Sequence, residues 1–276
     1  MSDADNMADD RADDIQDTSI TGFRWVGSED ASLDAPTLAE CGSIIIGRYG
    51  GRSDAGAQVN EDGALVWCDP AGAWEFATLL DAHFSAESAE LILATLESER
   101  SRLLAALALP VDLAFRALHE ALVASFSDTI FRARCREVYG EASWLLVARK
   151  GTYLWWFSVG DCLAYMLHNE TARLGQYLLN QRVFFTWIGQ HNTFDEPVPC
   201  YASGTQRLYH GETLIALATD GLFESIPAFY DQPEQLLYLL ASEQQLYDGV
   251  GRALDAIHQA HGRDSATLIA WRVRSR

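Results

Sequence analysis

Hydrophobic and polar positions divide the chain into short strand-like runs that frame a helical middle. Apolar residues recur at helical spacing over 86–96, 111–126, 233–240 and 246–257. Strands are predicted over 43–48, 64–68, 74–80, 143–148, 152–159, 162–167, 213–218 and 266–273. The run 153–157 is apolar on both alternating faces, which predicts a strand that is covered on each side. Residues 169–205 show neither period and are predicted to be irregular.

The order of these elements is strands, helices, strands, helices and a closing strand. Because such segregation is typical of α+β layering, we predict an α+β fold rather than a doubly wound parallel sheet. Residues 1–20 are rich in Asp and nearly lack large apolar side chains, so they are predicted to be a disordered acidic tail. Residues 21–42 are predicted to be an extended segment that docks on one domain, which spans 43–276.

The charge of the chain limits its partners. A formal net charge of -19 argues against nucleic acid and anionic membranes, because both need clustered Lys and Arg. The chain shows neither a signal-like leader nor an apolar run near the ~20 residues of a spanning helix, so we expect a cytoplasmic protein. The cysteines are odd in number and lack a C-x-x-C pair, which predicts buried free thiols. They are Cys41, Cys68, Cys135, Cys162 and Cys200.

Carboxylates flank the ends of four predicted strands. They lie in Asn60-Glu61-Asp62-Gly63, Leu80-Asp81-Ala82-His83, Thr219-Asp220-Gly221 and Asp264-Ser265-Ala266-Thr267. A buried carboxylate is costly unless it is compensated, and a hard cation such as Mg²⁺ or Mn²⁺ compensates it well. Each motif alone is more often a turn or a helix cap. The prediction of a metal site therefore depends on the order and spacing of the whole set.

The ordered motifs carry a resemblance to a known family. They are N-E-D at 60–62, D-x-H at 81–83, V-G-D at 159–161, T-D-G at 219–221 and D-x-x-T at 264–267. The series resembles the metal-dependent serine/threonine protein phosphatases of type 2C, of the bacterial kind, over about residues 43–273. The resemblance implies two packed antiparallel β-sheets with helices on both outer faces, a four-layer αββα sandwich. It also implies hydrolysis of phosphoserine and phosphothreonine in proteins, with an opposing Ser/Thr kinase as a candidate partner.

The resemblance further implies a site for two divalent cations, Mn²⁺ or Mg²⁺, with a weaker third position. The residues implied to form it are Glu61, Asp62, Asp81, Ala82, Asp161, Asp220, Glu224 and Asp264. Asp81 would bridge the first two ions, and Ala82 would ligate through its backbone carbonyl. Asp62 would steady the other ligands from behind, while Asp161 and Asp220, with Glu224 as a further candidate, would form the third position.

The implied chemistry is an in-line attack on phosphorus by a water whose pKa the cations lower, without a covalent phosphoenzyme. His83 lies beside Asp81 in the sequence and would protonate the departing Ser or Thr oxygen as a general acid. His83 and Asp81 are therefore the predicted catalytic residues.

Three positions depart from the usual family pattern. Phe84 ends a D-A-H-F run where D-G-H-G is usual, and Ser265 replaces an Asn. Ala57 occupies the position of an Arg that normally pairs with the substrate phosphate. We predict that Arg52 reaches across the 53–56 turn and partly replaces it, because a guanidinium binds phosphate with directional hydrogen bonds. The alternative is that Arg52 is a surface charge.

Two other functions remain open. The absence of an arginine at position 57 favours a catalytically weak relative that acts as a metal-binding regulatory or partner-binding module. A purely structural acidic β-rich protein is the second alternative, and it would bind no Mn²⁺. The complete set of carboxylates favours the enzyme, since a degenerate copy has little reason to keep uncompensated acids.

Overall fold

The computed structural model describes residues 20–241 and 245–275. Its strands are β1 (Thr21–Val26), β2 (Thr37–Cys41), β3 (Ile44–Tyr49), β4 (Gly63–Cys68), β5 (Trp74–His83), β6 (Glu141–Lys150), β7 (Tyr153–Val159), β8 (Leu163–Leu167), β9 (Ile188–Gly189), β10 (Ala202–Arg207), β11 (Gly211–Ala218) and β12 (Ala266–Ser275). Its helices are α1 (Glu87–Ser98), α2 (Arg100–Ala108), α3 (Val111–Ser127), α4 (Thr129–Cys135), α5 (Asn169–Ala172), α6 (Gly221–Ser225), α7 (Ala228–Asp231), α8 (Pro233–Ala241) and α9 (Leu246–Gln259). None of these helices is long and apolar enough to cross a membrane.

The strands form two antiparallel sheets. The first sheet has the order β1-β4-β5-β6-β7-β10, with the short β9 paired to β6. The second has the order β2-β3-β12-β11-β8. Both sheets bury apolar side chains on two faces, because each lies between the other sheet and a group of helices.

Three apolar cores separate four layers. The middle core lies between the sheets and contains Leu79, Leu217 and Trp271. Helices α1–α4 cover the first sheet over a core that includes Leu93 and Phe126, and helices α6–α9 cover the second. This arrangement confirms the α+β fold and the four-layer αββα sandwich.

Most predicted elements are observed, but the helical middle and the irregular segment contain more structure than the pattern indicates. Helices α2 and α4 were not predicted, because α2 begins with the polar run 100–102 and α4 is only seven residues long. Residues 169–205 are not wholly irregular, since β10 begins at residue 202 and pairs with β7. The alternation in β10 is of exposed and half-buried residues, which gives a weak hydrophobic signal.

The N-terminal segment supplies one strand to each sheet. Strand β1 pairs with β4 at the edge of the first sheet, and β2 pairs with β3 at the edge of the second. Residues 21–42 are thus hydrogen-bonded into both sheets, beyond the docking that the sequence predicts. The predicted acidic tail lies outside the described residues apart from Ile20, and the domain boundary at residue 43 stays a prediction.

All five cysteines are free, and four of them are buried. Cys200 is exposed, so the prediction of buried thiols is wrong at this position. It follows Pro199 in the loop before β10, where no apolar layer covers the chain.

Candidate metal centre

The ends of four strands meet at one end of the sandwich. Because β4 and β5 are antiparallel, the start of β4 lies beside the last third of β5, with Gly63 opposite Leu80. The end of β11 lies beside the start of β12 in the same way, with Ala218 opposite Leu268. Antiparallel pairing therefore brings together acidic motifs that are up to about two hundred residues apart in the sequence.

Asp81 lies within β5, opposite Ser143 of β6, and not after the strand as the sequence predicts. The strand continues to His83 because its pairing with β6 extends that far. Side chains alternate along a strand, so Leu79 and Asp81 both face the second sheet. Asp81 thereby ends the row of residues that fills the space between the sheets.

Three carboxylates converge at this point. Asp81, Asp161 and Asp220 each offer an oxygen, and these oxygens all lie within 4.8 Å of one another. All three residues are buried, and Oδ2 of Asp81 has no hydrogen-bond partner. A buried carboxylate oxygen without a partner is costly, so this oxygen favours a proton or a bound cation.

Asp161 is positioned by the glycine before it. Gly160 has a φ of +88°, and a Cβ there would lie 2.2 Å from Oγ of Ser143. That hydroxyl lies 2.7 Å from Oδ1 of Asp161 and donates a hydrogen bond to it. The V-G-D motif therefore needs its glycine both for the turn after β7 and for the close approach to Ser143.

Asp220 depends on a glycine in a similar way. A Cβ on Gly221 would lie 1.8 Å from the carbonyl oxygen of Ser265. The absence of a side chain lets the first turn of α6 lie against the loop that carries Asp264. The T-D-G motif thus brings Asp220 and Asp264 together through a direct backbone contact.

Asp62 is fully buried and links the two sheets. Its oxygens accept hydrogen bonds from the hydroxyls of Thr267 at 2.6 Å, Ser265 at 3.0 Å and Thr219 at 3.3 Å. All three donors belong to the second sheet or its loops, whereas Asp62 precedes β4 of the first. The oxygens of Asp62 are thus occupied by hydroxyl donors, and the supporting role that the family resemblance implies for it stays a prediction. Ser265 contributes a donor at the position where Asn is usual.

Burial and mutual repulsion raise the pKa of the acidic groups. Burial is the main cause for Asp81, and the neighbouring Asp220 and Asp62 raise its pKa further. Burial raises the pKa of Asp62 to about 7, although its hydroxyl donors oppose the shift. The pKa values of Glu61, Glu224 and Asp264 are also raised by desolvation and by neighbouring carboxylates. The site therefore favours binding of positive charge.

His83 lies at the edge of the cluster. Its Nδ1 is 3.6 Å from Oδ1 of Asp81, and 42% of its side chain is exposed. Ala82 turns its methyl group into the core under α1–α4, so only its backbone can serve the site. Phe84 is 69% exposed and has a φ of +71°, which an L-residue with a bulky side chain rarely adopts.

A cleft of about 590 Å³ continues the site on the side of the second sheet. Glu61, Glu224 and Asp264 line it together with Ala57 and Arg263. The predicted ligands thus fall into two groups, with the buried Asp81 cluster at the centre and these three more exposed carboxylates beside it.

Arg52 lies beside Asp54 and is not among the residues that line this cleft. Its Nε donates to Oδ1 of Asp54 at 2.7 Å, and Nη2 also contacts that carboxylate. Arg263 packs instead along Gly56, where a Cβ would lie 3.7 Å from its Nε. Among the described residues, no ion pair is formed by Arg263. The sequence offered one signal for it, its position directly before Asp264.

Arg182 is a second arginine that sequence analysis missed. Its Nη2 lies 3.1 Å from Oδ2 of Asp161 and 3.1 Å from Oδ2 of Asp220. It comes from the segment 169–205, which has no periodic pattern, and nothing in the sequence indicates this contact.

Solved structures share this architecture over most of the chain. PppA, a key regulatory component of T6SS in Pseudomonas aeruginosa, is 16% identical with a TM-score of 0.59, and the match covers 87% of this chain and 98% of PppA. The catalytic domain of the serine/threonine phosphatase PstP, in complex with two manganese ions, is 14% identical with a TM-score of 0.53. The match covers 92% of this chain and 97% of the PstP domain. Serine-threonine phosphatase 2C from Toxoplasma gondii is 12% identical with a TM-score of 0.57. The match covers 90% of this chain and 98% of the Toxoplasma protein.

The chain has the fold of the type 2C phosphatases. At these identities the likeness concerns the fold alone. No protein-family model and no curated protein sequence matches the chain.

The residues present in this type 2C fold suit a divalent cation. Their donors are carboxylate oxygens, which hard cations prefer, and Asp81 offers a buried oxygen with no other partner. The residues that would hold cations are Asp81, Asp161 and Asp220, with Glu61 and Asp264 beside them.

The raised pKa values predict how the metal-free protein responds to pH. Between about pH 4 and pH 7 the unfolded chain releases the proton of Asp62 while the folded protein keeps it. Because the folded state then binds more protons, its stability falls as the pH rises through this window. In EDTA we expect a lower melting temperature at pH 7.5 than at pH 5. Addition of Mn²⁺ should raise the melting temperature more at pH 7.5 than at pH 5. An equal rise at both pH values, measured by circular dichroism, would contradict this.

Proposed function

We propose that this protein is a metal-dependent serine/threonine phosphatase that hydrolyses phosphoserine and phosphothreonine in proteins. The observation that carries the proposal is the convergence of Asp81, Asp161 and Asp220 within 4.8 Å, in a type 2C phosphatase fold. Two Mn²⁺ or Mg²⁺ ions are the proposed cofactors. The PstP domain, which contains two manganese ions, supports this choice. A phosphoprotein is the proposed substrate, and the cytoplasmic location and the opposing kinase stay predictions.

The bound cations would supply the Lewis acidity that activates water and neutralises the phosphate charge. Asp81 and Asp220 provide the carboxylates that hold this charge at the end of the sandwich. Asp62 fixes the distance between the sheets through its three hydroxyl donors. The carboxylates are therefore arranged before any ligand binds, which lowers the cost of forming the site.

His83 is the proposed general acid. It lies next to Asp81 and is partly exposed, so a phosphoester that approaches from solvent reaches its ring.

The alternative is a catalytically weak relative that serves as a metal-binding regulatory module. Two observations favour it, the absence of an arginine at Ala57 and the exposed ring of Phe84 directly after His83. PppA is described as a regulatory component, which is compatible with either function. Turnover of a phosphopeptide distinguishes the two.

We expect the purified protein to hydrolyse a phosphothreonine peptide in Mn²⁺ or Mg²⁺ and to lose this activity in EDTA. Asp81→Asn should abolish turnover and leave a folded protein, because it removes a central negative charge from the cation site. Asp255→Asn, an exposed carboxylate on α9, is the matched control. Full activity in excess chelator, or in Asp81→Asn, would reject the proposed mechanism. Mn²⁺ binding without turnover would favour the regulatory module.

The role of His83 predicts a dependence on the leaving group. His83→Ala should lower kcat about 10²–10⁴-fold for a phosphothreonine peptide, the usual span for a general acid. The loss should be much smaller for p-nitrophenyl phosphate, because nitrophenolate leaves without protonation. His210→Ala, at an exposed histidine, serves as the control. Equal losses on both substrates would indicate a structural His83.

The arginine that meets the substrate phosphate is a separate question. Arg263 lines the acidic cleft beside Ala57, whereas Arg52 is already paired with Asp54, so the described contacts favour Arg263. Charge-assisted hydrogen bonds are worth about 1.5–3 kcal/mol, so Arg263→Ala should raise KM about tenfold or more. Arg52→Ala should leave KM within about twofold. Steady-state kinetics measure both values. A raised KM in Arg52→Ala with an unchanged KM in Arg263→Ala would instead support Arg52 as the phosphate-binding arginine.

A further inference from the structure

The outer oxygens of Asp161 and Asp220 share one positively charged partner from the protein itself. Nη2 of Arg182 lies 3.1 Å from Oδ2 of each carboxylate. Asp161 lies in the turn between β7 of the first sheet and β8 of the second, and Asp220 follows β11, which pairs with β8. One guanidinium therefore joins the β7–β8 turn to the end of β11, at the point where a weaker third cation is implied by the family resemblance.

Arg182 is held in place by the residues around it in the chain. Asn180 is buried, and its amide group donates to the carbonyl of Cys162 at 2.8 Å and to Oγ of Ser158 at 3.0 Å. The backbone N–H of Val183 donates to the carbonyl of Gly160 at 2.9 Å. These bonds fasten the segment on both sides of Arg182 to the β7–β8 turn, which also carries Asp161.

Aromatic rings complete the environment of the guanidinium. Its carbon lies 4.8 Å from the centre of the Phe184 ring and 5.9 Å from that of Tyr230. Only 15% of the Arg182 side chain is exposed. Partial burial strengthens its attraction to the two carboxylates, and the rings stabilise the cation on its remaining faces.

A guanidinium at this position has a consequence for metal binding. It carries one fixed positive charge and is covalently attached, so it permanently offsets one of the two negative charges of the carboxylate pair. A divalent ion on the same outer oxygens would have to displace it and would meet its like charge. Within residues 20–241 and 245–275, no arginine pairs with Asp81, whose Oδ2 has no partner.

We propose that Arg182 is a built-in cation that takes the place of a divalent ion between Asp161 and Asp220. Divalent cations then bind through Asp81 and the carboxylate oxygens that Arg182 leaves free. The inference relies on the proposed function only in assuming that the Asp81 cluster binds such cations.

The test is the number of Mn²⁺ ions that bind per chain. Isothermal titration calorimetry and the electron paramagnetic resonance signal of free Mn²⁺ both measure it. Arg182→Met keeps a long apolar side chain and removes the charge, so this variant should bind one more Mn²⁺ than the wild type. Arg182→Lys should keep the wild-type number, because its ammonium group still carries the charge.

Two further variants make the result specific. Adding Asp161→Asn to Arg182→Met should remove the extra ion, because half of the outer carboxylate pair is then lost. Arg136→Met removes an exposed arginine that pairs with Asp195 at 2.9 Å, and it should bind the wild-type number. If Arg182→Met does not fold, as judged by circular dichroism, Arg182→Gln gives the same test.

The outcomes separate this inference from the proposed function. An unchanged number of Mn²⁺ ions in the folded neutral variant would overturn the role of Arg182, whatever the wild type binds. A wild type that binds no Mn²⁺ would reject the proposed function. A gain of one ion in the neutral variant would still support the built-in cation in that case.

Discussion

Repulsion between buried carboxylates is the constraint on which this end of the sandwich depends. Each acidic group is compensated in a different way. Asp62 accepts three hydroxyl hydrogen bonds, and Asp161 and Asp220 share the guanidinium of Arg182. Asp81 alone among these four keeps a buried oxygen without a partner. The protein thus offsets only part of this charge internally and leaves negative charge at Asp81 and its neighbours for an added cation.

The same compensation joins the two sheets. The donors to Asp62 lie in the second sheet or its loops, and Arg182 connects the β7–β8 turn, which links the two sheets, to the end of β11. Contacts between apolar side chains alone would let the sheets slide by small distances, because they have no direction. Directional bonds at one end hold the distance between the sheets there. The backbone contact between Gly221 and Ser265 has the same effect within the second sheet.

The likeness to type 2C phosphatases at 12–16% identity shows how little of the fold depends on particular core side chains. Apolar residues of suitable volume replace one another readily in a core. An active site tolerates substitution less well than a core does, because catalysis depends on a few oxygen and nitrogen atoms at fixed distances. The proposed activity therefore rests on Asp81, Asp161, Asp220 and His83, and the general fold adds only the frame that holds them.

Sequence periodicity predicts the layered α+β fold and most of its elements, because alternating and helical periods report directly on which faces are buried. The sequence also indicated the acidic motifs, because their order and spacing resemble those of the type 2C phosphatases. Tertiary structure decided what those acids contact. The pairing of Arg182 with two carboxylates, the position of Arg263 along Gly56 and the edge strands within 21–42 involve partners distant in the chain. Long-range contacts of single polar side chains leave no periodic signal, so only the assembled sandwich reveals them.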